Sequence, residues 1–356
     1  MDDSGMLSES DLALVTALQV APRASWAAVA QATGLSAATA ARHWQHLVET
    51  GAAWVTASPG QAVWASRCVA YVEVSCTPGD TLEVAQTLAQ DPNALTVEVT
   101  AGGADLFLTV AATDLAAMSR YLLQRIDTIP GITRTNSRIA TGLYRDGSDW
   151  RLDALPVRRS VPTTLGRGVD LQGGVSPARR TPIDRSLSLQ LGLDGRATYA
   201  DLAHRVGVSE VTARRRTAHL IRTGTLVLRT EVAAHRVGWP VSAILSIEVP
   251  VNLLSEAART AARLRQMRLV ATVAGSPSLI SVAWLKQVAQ IHDLEQRLVD
   301  TIPELRVTGR LTVLRTVKRM GRILDGHGHA VSAVPMDHWR DPLVGSAGRH
   351  EANDGI

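Results

Sequence analysis

Apolar and polar positions alternate along this chain in two rhythms, and the whole pattern is written twice. In IDRSLSLQLGL, Ile183, Leu187 and Leu191 have helical spacing and predict a first helix. Asp194-Gly195-Arg196 breaks it. TYADLAHRV predicts a second helix, capped by Thr198 and burying Leu202, Ala203 and Val206. Gly207 ends it, because a tight turn needs a positive φ that glycine adopts without strain. Ser209 then caps a third helix, EVTARRRTAHLIRTG. At about 100° per residue, Ala213, Thr217 and Leu220 share a small apolar face that packs inward. Two short helices around a glycine turn, the second rich in arginine, predict a helix-turn-helix. A short extended run follows, TLVLRTEVAAHRVGWP, which suits a wing or a hinge pairing two units.

The next stretch changes rhythm. AILSIEVP, LVATVAG, LISVAWL and VTGRLTVLRTVKR read as strands. SEAARTAARLRQM and the stretch from about Val288 to Thr301 read as helices. The order is βαββαβ, so the predicted fold is α+β: a winged helix-turn-helix followed by a ferredoxin-like sandwich.

That reading applies twice. DTIP stands at Asp127–Pro130 and again at Asp300–Pro303, 300 − 127 = 173 residues apart. At the same offset Asp11 maps onto Asp184, Arg23-Ala24-Ser25-Trp26 onto Arg196-Ala197-Thr198-Tyr199, and Gly34-Leu35-Ser36 onto Gly207-Val208-Ser209. A small slip is read near Glu73 and Glu248. The period far exceeds that of solenoid repeats, so each copy is a complete unit. The expected tandem duplication has helix-turn-helix domains at 8–60 and 182–232 and sheet domains at 66–146 and 241–322. A Pro-, Gly- and Arg-rich stretch at 150–181 reads as a linker, and 326–356 as a disordered tail.

Composition narrows the function classes. The chain has 356 residues, 46% hydrophobic and 20% charged, enough for several cores. Aromatics are only 4%, so small aliphatics must build those cores. The net charge is +4 and the pI about 9.5, with lysine only at Lys286 and Lys318, so the basic excess is almost all arginine. This permits nucleic-acid binding without requiring it. Cys68 and Cys76 make no disulfide framework and match no zinc or redox spacing. MDDSGMLSESD is acidic and lacks the apolar core of a signal peptide. No apolar run approaches the roughly 18 residues of a membrane span. The expected location is cytoplasmic, at the nucleoid.

The candidate chemistry is DNA reading. Val211, Thr212, Arg214, Arg215 and His219 lie opposite the buried face of the third helix, with Ser209 at its cap and Arg216 beside them. Arginine can pair with guanine, and Thr or Val can touch a thymine methyl. In the first copy Ser36, Ala38, Thr39, Arg42 and His46 take these places. Ala41 stands where Arg214 does, and His43 where Arg216 does, so the first reader is expected to be weaker or to read a different half-site. Trp44 reads as core. His327 and His329 have no third ligand, so no metal is expected.

These motifs resemble the Lrp/AsnC (feast/famine) family of transcription regulators. The resemblance rests on Asp184, DGR at 194–196, GVS at 207–209, TARRR at 212–216 and TAGGADLFL at 100–108, and covers roughly 8–146 and 181–325. It implies pairing through the sheet domains and a small effector, such as an amino acid, near the sheet-domain interface. The implied effector residues are Gly102, Gly103 and Asp105, and Gly275 and Ser278 in the second copy, where the acid is gone. Expected partners are operator DNA and a small effector. The chain is expected to form an intrachain pseudo-dimer and a homodimer or higher oligomer. No cofactor and no catalysis are expected. Two rivals stand beside this reading: an enzyme similar to siroheme decarboxylases, and a ligand sensor with a decayed DNA-binding unit. The decarboxylase chemistry wants His and Arg donors, which VTAGGADLFL and VAGSPSLISV lack.

Overall fold

The computed structural model describes residues 5–154, 181–337 and 339. The first three helices are α1 (Glu9–Val20), α2 (Trp26–Thr33) and α3 (Ala37–Glu49). Their counterparts are α7 (Pro182–Leu193), α8 (Tyr199–Val206) and α9 (Glu210–Arg222). Hydroxyl caps start them as the sequence predicts: Ser25, Ser36, Thr198 and Ser209 each accept a bond from the backbone N–H three residues on. Gly34 and Gly207 end the second helices at φ 81° and 74°. Leu14, Leu18, Val29 and Trp44 fill one small core, and Leu187, Leu191, Leu202 and Leu220 the other.

The extended runs that follow pair with each other. β1 (Ala53–Pro59) and β6 (Leu226–Val232) form an antiparallel two-stranded ribbon. In its register Thr56 lies opposite Arg229, and 229 − 56 = 173, the offset of the repeat. Each strand therefore meets its own counterpart about a pseudo-two-fold axis through that pair. The helical units obey the same axis. Arg23 donates to the carbonyls of Gly195 and Ala197 at 2.8 and 2.9 Å, and Arg196 donates to those of Pro22 and Ala24 at 2.6 and 3.0 Å. Arg23 also lies over the Tyr199 ring, and Arg196 over Trp26.

The first sheet unit runs β2 (Cys68–Cys76), α5 (Thr81–Ala89), β3 (Ala94–Gly102), β4 (Leu106–Ala112), α6 (Leu115–Arg120, with a π-helical turn to Ile126) and β5 (Ile132–Arg145). A short α4 (Gln61–Trp64) precedes it. The second runs β7 (Val241–Glu248), α10 (Leu254–Arg263), β8 (Met267–Val273), β9 (Leu279–Leu285), α11 (Gln290–Thr301) and β10 (Arg306–Arg319). Each has the expected βαββαβ order. The expectation of two separate sandwiches is corrected, however. The strands run β3-β4-β2-β5-β8-β9-β7-β10, and β10 pairs back onto β3, closing one barrel. The two seams are equivalent: Ala140 pairs with Val273, and Val313 with Thr100, which are the same two positions exchanged between copies. Closure removes the exposed edges that two open sheets would leave. The register also shows no slip. Val72 pairs with Leu108 and Leu245 with Ser281, both partners displaced by 173.

Two further expectations change. Trp150 does not begin a solvated linker. It is buried against Trp239 and Trp284, with ring centroids 5.8 and 4.9 Å away. The Leu152 N–H is held by the Gln19 side chain at 2.9 Å. The remaining linker residues, 155–180, lie outside the described residues. The segment after Asp325 is not wholly irregular either: β11 (Arg322–Leu324) pairs with β12 (Ala330–Ala333). Ala330 N–H bonds the Gly51 carbonyl at 2.9 Å, and Asp337 holds Arg185 at 2.5 Å, so this segment ties both helical units to the barrel. The part of the predicted tail at 340–356 lies outside the described residues.

The ends of the long strands show the exchange most clearly. Lys318 on β10 donates to the Asp91 carbonyl at 2.8 Å, just past α5 of the other copy. Arg145 on β5 donates to the Leu264 carbonyl at 2.7 Å, just past α10. Both pairs keep the offset, since 318 − 145 and 264 − 91 are each 173. A cation at a helix C-terminus meets its unsatisfied carbonyls. Burial holds the Lys318 ammonium down at about 7, against an ordinary 10.5. Between these values the unfolded chain binds more protons, so stability rises with pH across that window. Urea unfolding of wild type and Lys318→Met at pH 7 and 9.5 tests this. The wild type should gain on the order of 2–3 kcal/mol more than the variant between the two pH values.

Candidate nucleic-acid interface and ligand cavity

The helix α9 divides as its sequence predicts. Ala213, Thr217 and Leu220 are buried, while Val211 is 76% exposed and Arg214 and Arg215 are exposed. Ser209 caps the helix and donates its hydroxyl proton to that of Thr212 at 2.9 Å. Arg214 reaches Glu210 at 3.1 Å and lies over the Tyr199 ring, contacts weak enough at the surface for a phosphate or base to displace. His219 is half-buried, 3.4 Å from Arg222. Arg216 is placed differently from expectation. Its guanidinium bonds both oxygens of the buried Asp184 on α7, at 3.0 and 3.2 Å, so it fastens the reading helix to the first helix. The first copy repeats this with His43 on Asp11 at 2.9 Å. On α3, Ser36, Ala38, Arg42 and His46 are exposed and Thr39 is half-buried. The outward face of α3 therefore carries Arg42 and His46 where that of α9 carries Arg214, Arg215 and His219.

The glycine-turn residues come together, but with their polar groups occupied. Gly102 and Gly103 are exposed at the β3–β4 turn. The Asp105 carboxylate accepts the Cys76 N–H at 2.8 Å, and the Asp105 N–H donates to the Val74 carbonyl at 3.0 Å. In the second copy Gly275 is exposed and Ser278 does the same work: its hydroxyl accepts the Val249 N–H at 3.1 Å. Asp105 and Ser278 thus close the same corner of the barrel, as an Asx-type turn-former does.

A cavity of about 240 Å³ opens where the barrel meets the β1–β6 ribbon. Its walls include Tyr71, Trp64, Leu95, Leu269, Val282 and Trp284, together with Arg67, Arg229, Arg268 and Arg319. Glu231, 1% exposed, accepts Arg229 at 2.7 Å and Arg268 at 2.8 Å. These two guanidiniums overcome the burial that would raise its carboxyl and hold it down at about 2. Arg268 is pushed down to about 10 by burial. Glu98, also buried, is raised for the same reason. Among the described residues no histidine lines the cavity, and no group of three potential metal ligands is present.

Comparison with known proteins follows this geometry closely. A family profile for the Lrp/AsnC ligand binding domain matches residues 69–148. One for the AsnC-type helix-turn-helix domain matches 7–48 and again 181–221. Both helix-turn-helix units and the first sheet unit are thus domains of the Lrp/AsnC type. An uncharacterized HTH-type transcriptional regulator of Pyrococcus horikoshii is 26% identical over 144 residues, 40% of this chain and 90% of the relative. One of Pyrococcus furiosus is 22% identical over 142 residues, 39% of this chain and 94% of the relative. Each relative thus has about the length of one copy. Among solved structures, the siroheme decarboxylase NirDL superposes with a TM-score of 0.55 over 88% of this chain and 93% of its own, at 14% identity. That likeness shows a shared fold.

The arginine-lined cavity is not read from the sequence. The signal was present in LVLRTEV, where Arg229 and Glu231 alternate on the face that a strand between two units must bury. Glu231→Gln would leave two buried guanidiniums without their anion. It should lower stability by about 3–5 kcal/mol in urea unfolding at pH 7. The loss should shrink in acid: this pairing contributes fully above about 4.5 and disappears as pH falls through about 2.

Proposed function

We propose that this chain is a DNA-binding transcriptional regulator that carries both reading heads of a dimer in one polypeptide. The observation that carries this is the pair of capped helices α3 and α9 with outward polar faces, held about one pseudo-two-fold axis by Arg23 and Arg196. Two-fold readers suit operators with two half-sites. Here the readers differ, so the operator should be an imperfect palindrome. Arg214 and Arg215 make the second copy the principal reader, with Ser209, Val211, Thr212 and His219 around them. Ser36, Ala38, Thr39, Arg42 and His46 form the lesser one. Such a role places the chain in the cytoplasm at the nucleoid. The intrachain pairing supplies what a one-unit relative takes from a second chain, and pairing of whole chains would add further reading heads.

The barrel is the sensing part and responds to a small molecule. The glycine turns at Gly102, Gly103 and Asp105, and at Gly275 and Ser278, remain an effector contact only through their backbone, since the Asp105 and Ser278 side chains already serve the barrel corner. The decarboxylase reading rests on a fold likeness alone, and fold does not fix chemistry.

Binding of the purified chain to its own upstream DNA across a salt series tests the reading. Affinity should fall steeply with salt. Arg214→Ala/Arg215→Ala should lose about 1–3 kcal/mol per lost base contact, or flatten the salt slope by about one per lost phosphate contact. Arg42→Ala should lose less. Weak binding with a shallow salt slope, unchanged in both variants on upstream DNA and on a random-sequence selection pool, would remove the proposal.

A further inference from the structure

The cavity at the barrel end breaks the symmetry that governs the rest of the fold. Subtracting 173 from each charged position gives its counterpart in the first copy. Arg268 answers to Leu95, Arg229 to Thr56 and Glu231 to Ser58. Arg319 answers to Asp146, and Trp284 to Ala111. The cluster is therefore built once per chain, not twice. Packing does not demand the guanidiniums, since the other copy fills these positions with small or apolar residues and, at Asp146, with the opposite charge.

Its charges are unevenly paired. Arg229 and Arg268 share Glu231, and Asp146, also on the cavity wall, stands 3.9 Å from Arg229. Arg319 makes no ion pair within 4.0 Å among the described residues. Its hydrogen bonds go to neutral acceptors, the Val232 carbonyl at 3.5 Å and the Thr316 hydroxyl at 3.2 Å. Its guanidinium lies 5.0 Å from the centre of the Trp284 ring, and Arg268 stacks on the same ring at 4.0 Å. Arg67, on the same cavity, has an Nε atom without a hydrogen-bond partner. Glu98 and Asp146 are the other acids beside the cluster, and neither makes an ion pair with Arg319 within 4.0 Å among the described residues. A guanidinium held in low dielectric without a carboxylate in direct contact is costly, and a ligand carboxylate offsets that cost through two parallel bonds. The other walls are aromatic and aliphatic, which suits an apolar body and disfavours a bare, strongly hydrated anion.

We propose that this cavity binds a small monocarboxylate with an apolar body, its carboxylate on Arg319 and its body against Trp284 and Tyr71. Arg319 bonds the carbonyl of Val232, the last residue of β6, and Arg229 and Glu231 lie on the same strand. That strand leads from α9 into the barrel. Occupancy thereby acts on the strand that carries the principal reading helix, and DNA and ligand each change the affinity of the other by the same factor. This last step rests on the regulator reading; the binding site does not.

The test uses the full chain and four probes: isovalerate, 4-methyl-2-oxopentanoate, phenylacetate and indole-3-acetate, each beside its neutral amide. Calorimetry should show one saturable site per chain for at least one acid, about tenfold or more tighter than its amide. Binding should quench tryptophan fluorescence, and Trp284→Phe should reduce that quench. Arg319→Gln should abolish the preference for acid over amide. Arg67→Gln should weaken it, which keeps the test decisive if the first variant does not fold. Val288→Ser, at an exposed position outside the cavity lining, should leave the acid affinity unchanged. The proposal is overturned if no acid saturates below about 10 mM, if acid and amide bind alike, if inorganic phosphate binds as tightly as the acids, or if the preference for acid over amide survives Arg319→Gln. Acid binding in a chain that fails the DNA titration would sink the regulator reading and leave the site standing.

Discussion

The antiparallel meeting of each copy with its own counterpart is the constraint on which the rest of this structure depends. A four-stranded βαββαβ sheet has two open edges, and an open edge is a liability in water. Here the outer strands of each half, β3 and β5, are covered by β10 and β8 of the other half. The same axis passes through Thr56 and Arg229 in the ribbon and relates Arg23 to Arg196 between the helical units. Three layers thus share one operator, so no layer can shift without disturbing the others. Joining the copies in one chain makes their pairing intramolecular, which removes its dependence on protein concentration.

Covalent linkage also frees the two copies to diverge. In a homodimer, a substitution on the axis appears twice and meets its own image. In this chain Thr56 can face Arg229, and Asp146 can approach Arg229 while standing at the position that holds Arg319 in the other half. The consequence is a one-sided cluster of guanidiniums beside an otherwise symmetric core. The reading heads diverge in the same way, with Ala41 at the place of Arg214. The hydrogen-bonded pair that fastens the third helix to the first persists, as Asp11–His43 and Asp184–Arg216. Divergence therefore falls on the cavity wall and on the outward faces of α3 and α9, and the scaffold beneath them keeps its bonds.

Much of the fold was legible because it is local. Serine caps, glycine turns and helical or alternating apolar spacing are written within a dozen residues, and they place every helix of the two reading units. What joins the units is not local. Closure of the barrel depends on which strand edges remain free, and periodicity carries no record of that. Trp150 has no periodic neighbours, so it read as linker, although it fills the space between Trp239 and Trp284. The segment 326–333 read as disordered for the same reason: its order comes from β11 and from Gly51, far away in the chain. Arg216 shows a subtler limit. Helical angle places it beside the groove-facing residues, but only the position of Asp184 reveals that its charge is already used.

The uneven distribution of charge connects the two ends of the molecule. On the outer face of α9 Arg214 and Arg215 are exposed, and the pairing of Arg214 with Glu210 is of the weak, solvent-screened kind. Under the ribbon Arg229 and Arg268 are buried, so their charges interact strongly with each other and with Glu231. β6 spans the distance between these regimes in seven residues. A change of charge near Arg319 is felt by Arg229 and Glu231 with little screening, and those side chains belong to the strand that begins four residues after α9 ends. The ribbon pairs β6 with β1 along its whole length, so the strand leading from α3 is hydrogen-bonded to the strand that carries Arg229 and Glu231. The path of bonded structure from the cluster to α3 and α9 is therefore short and continuous, while the cluster itself lies on one side of the axis only.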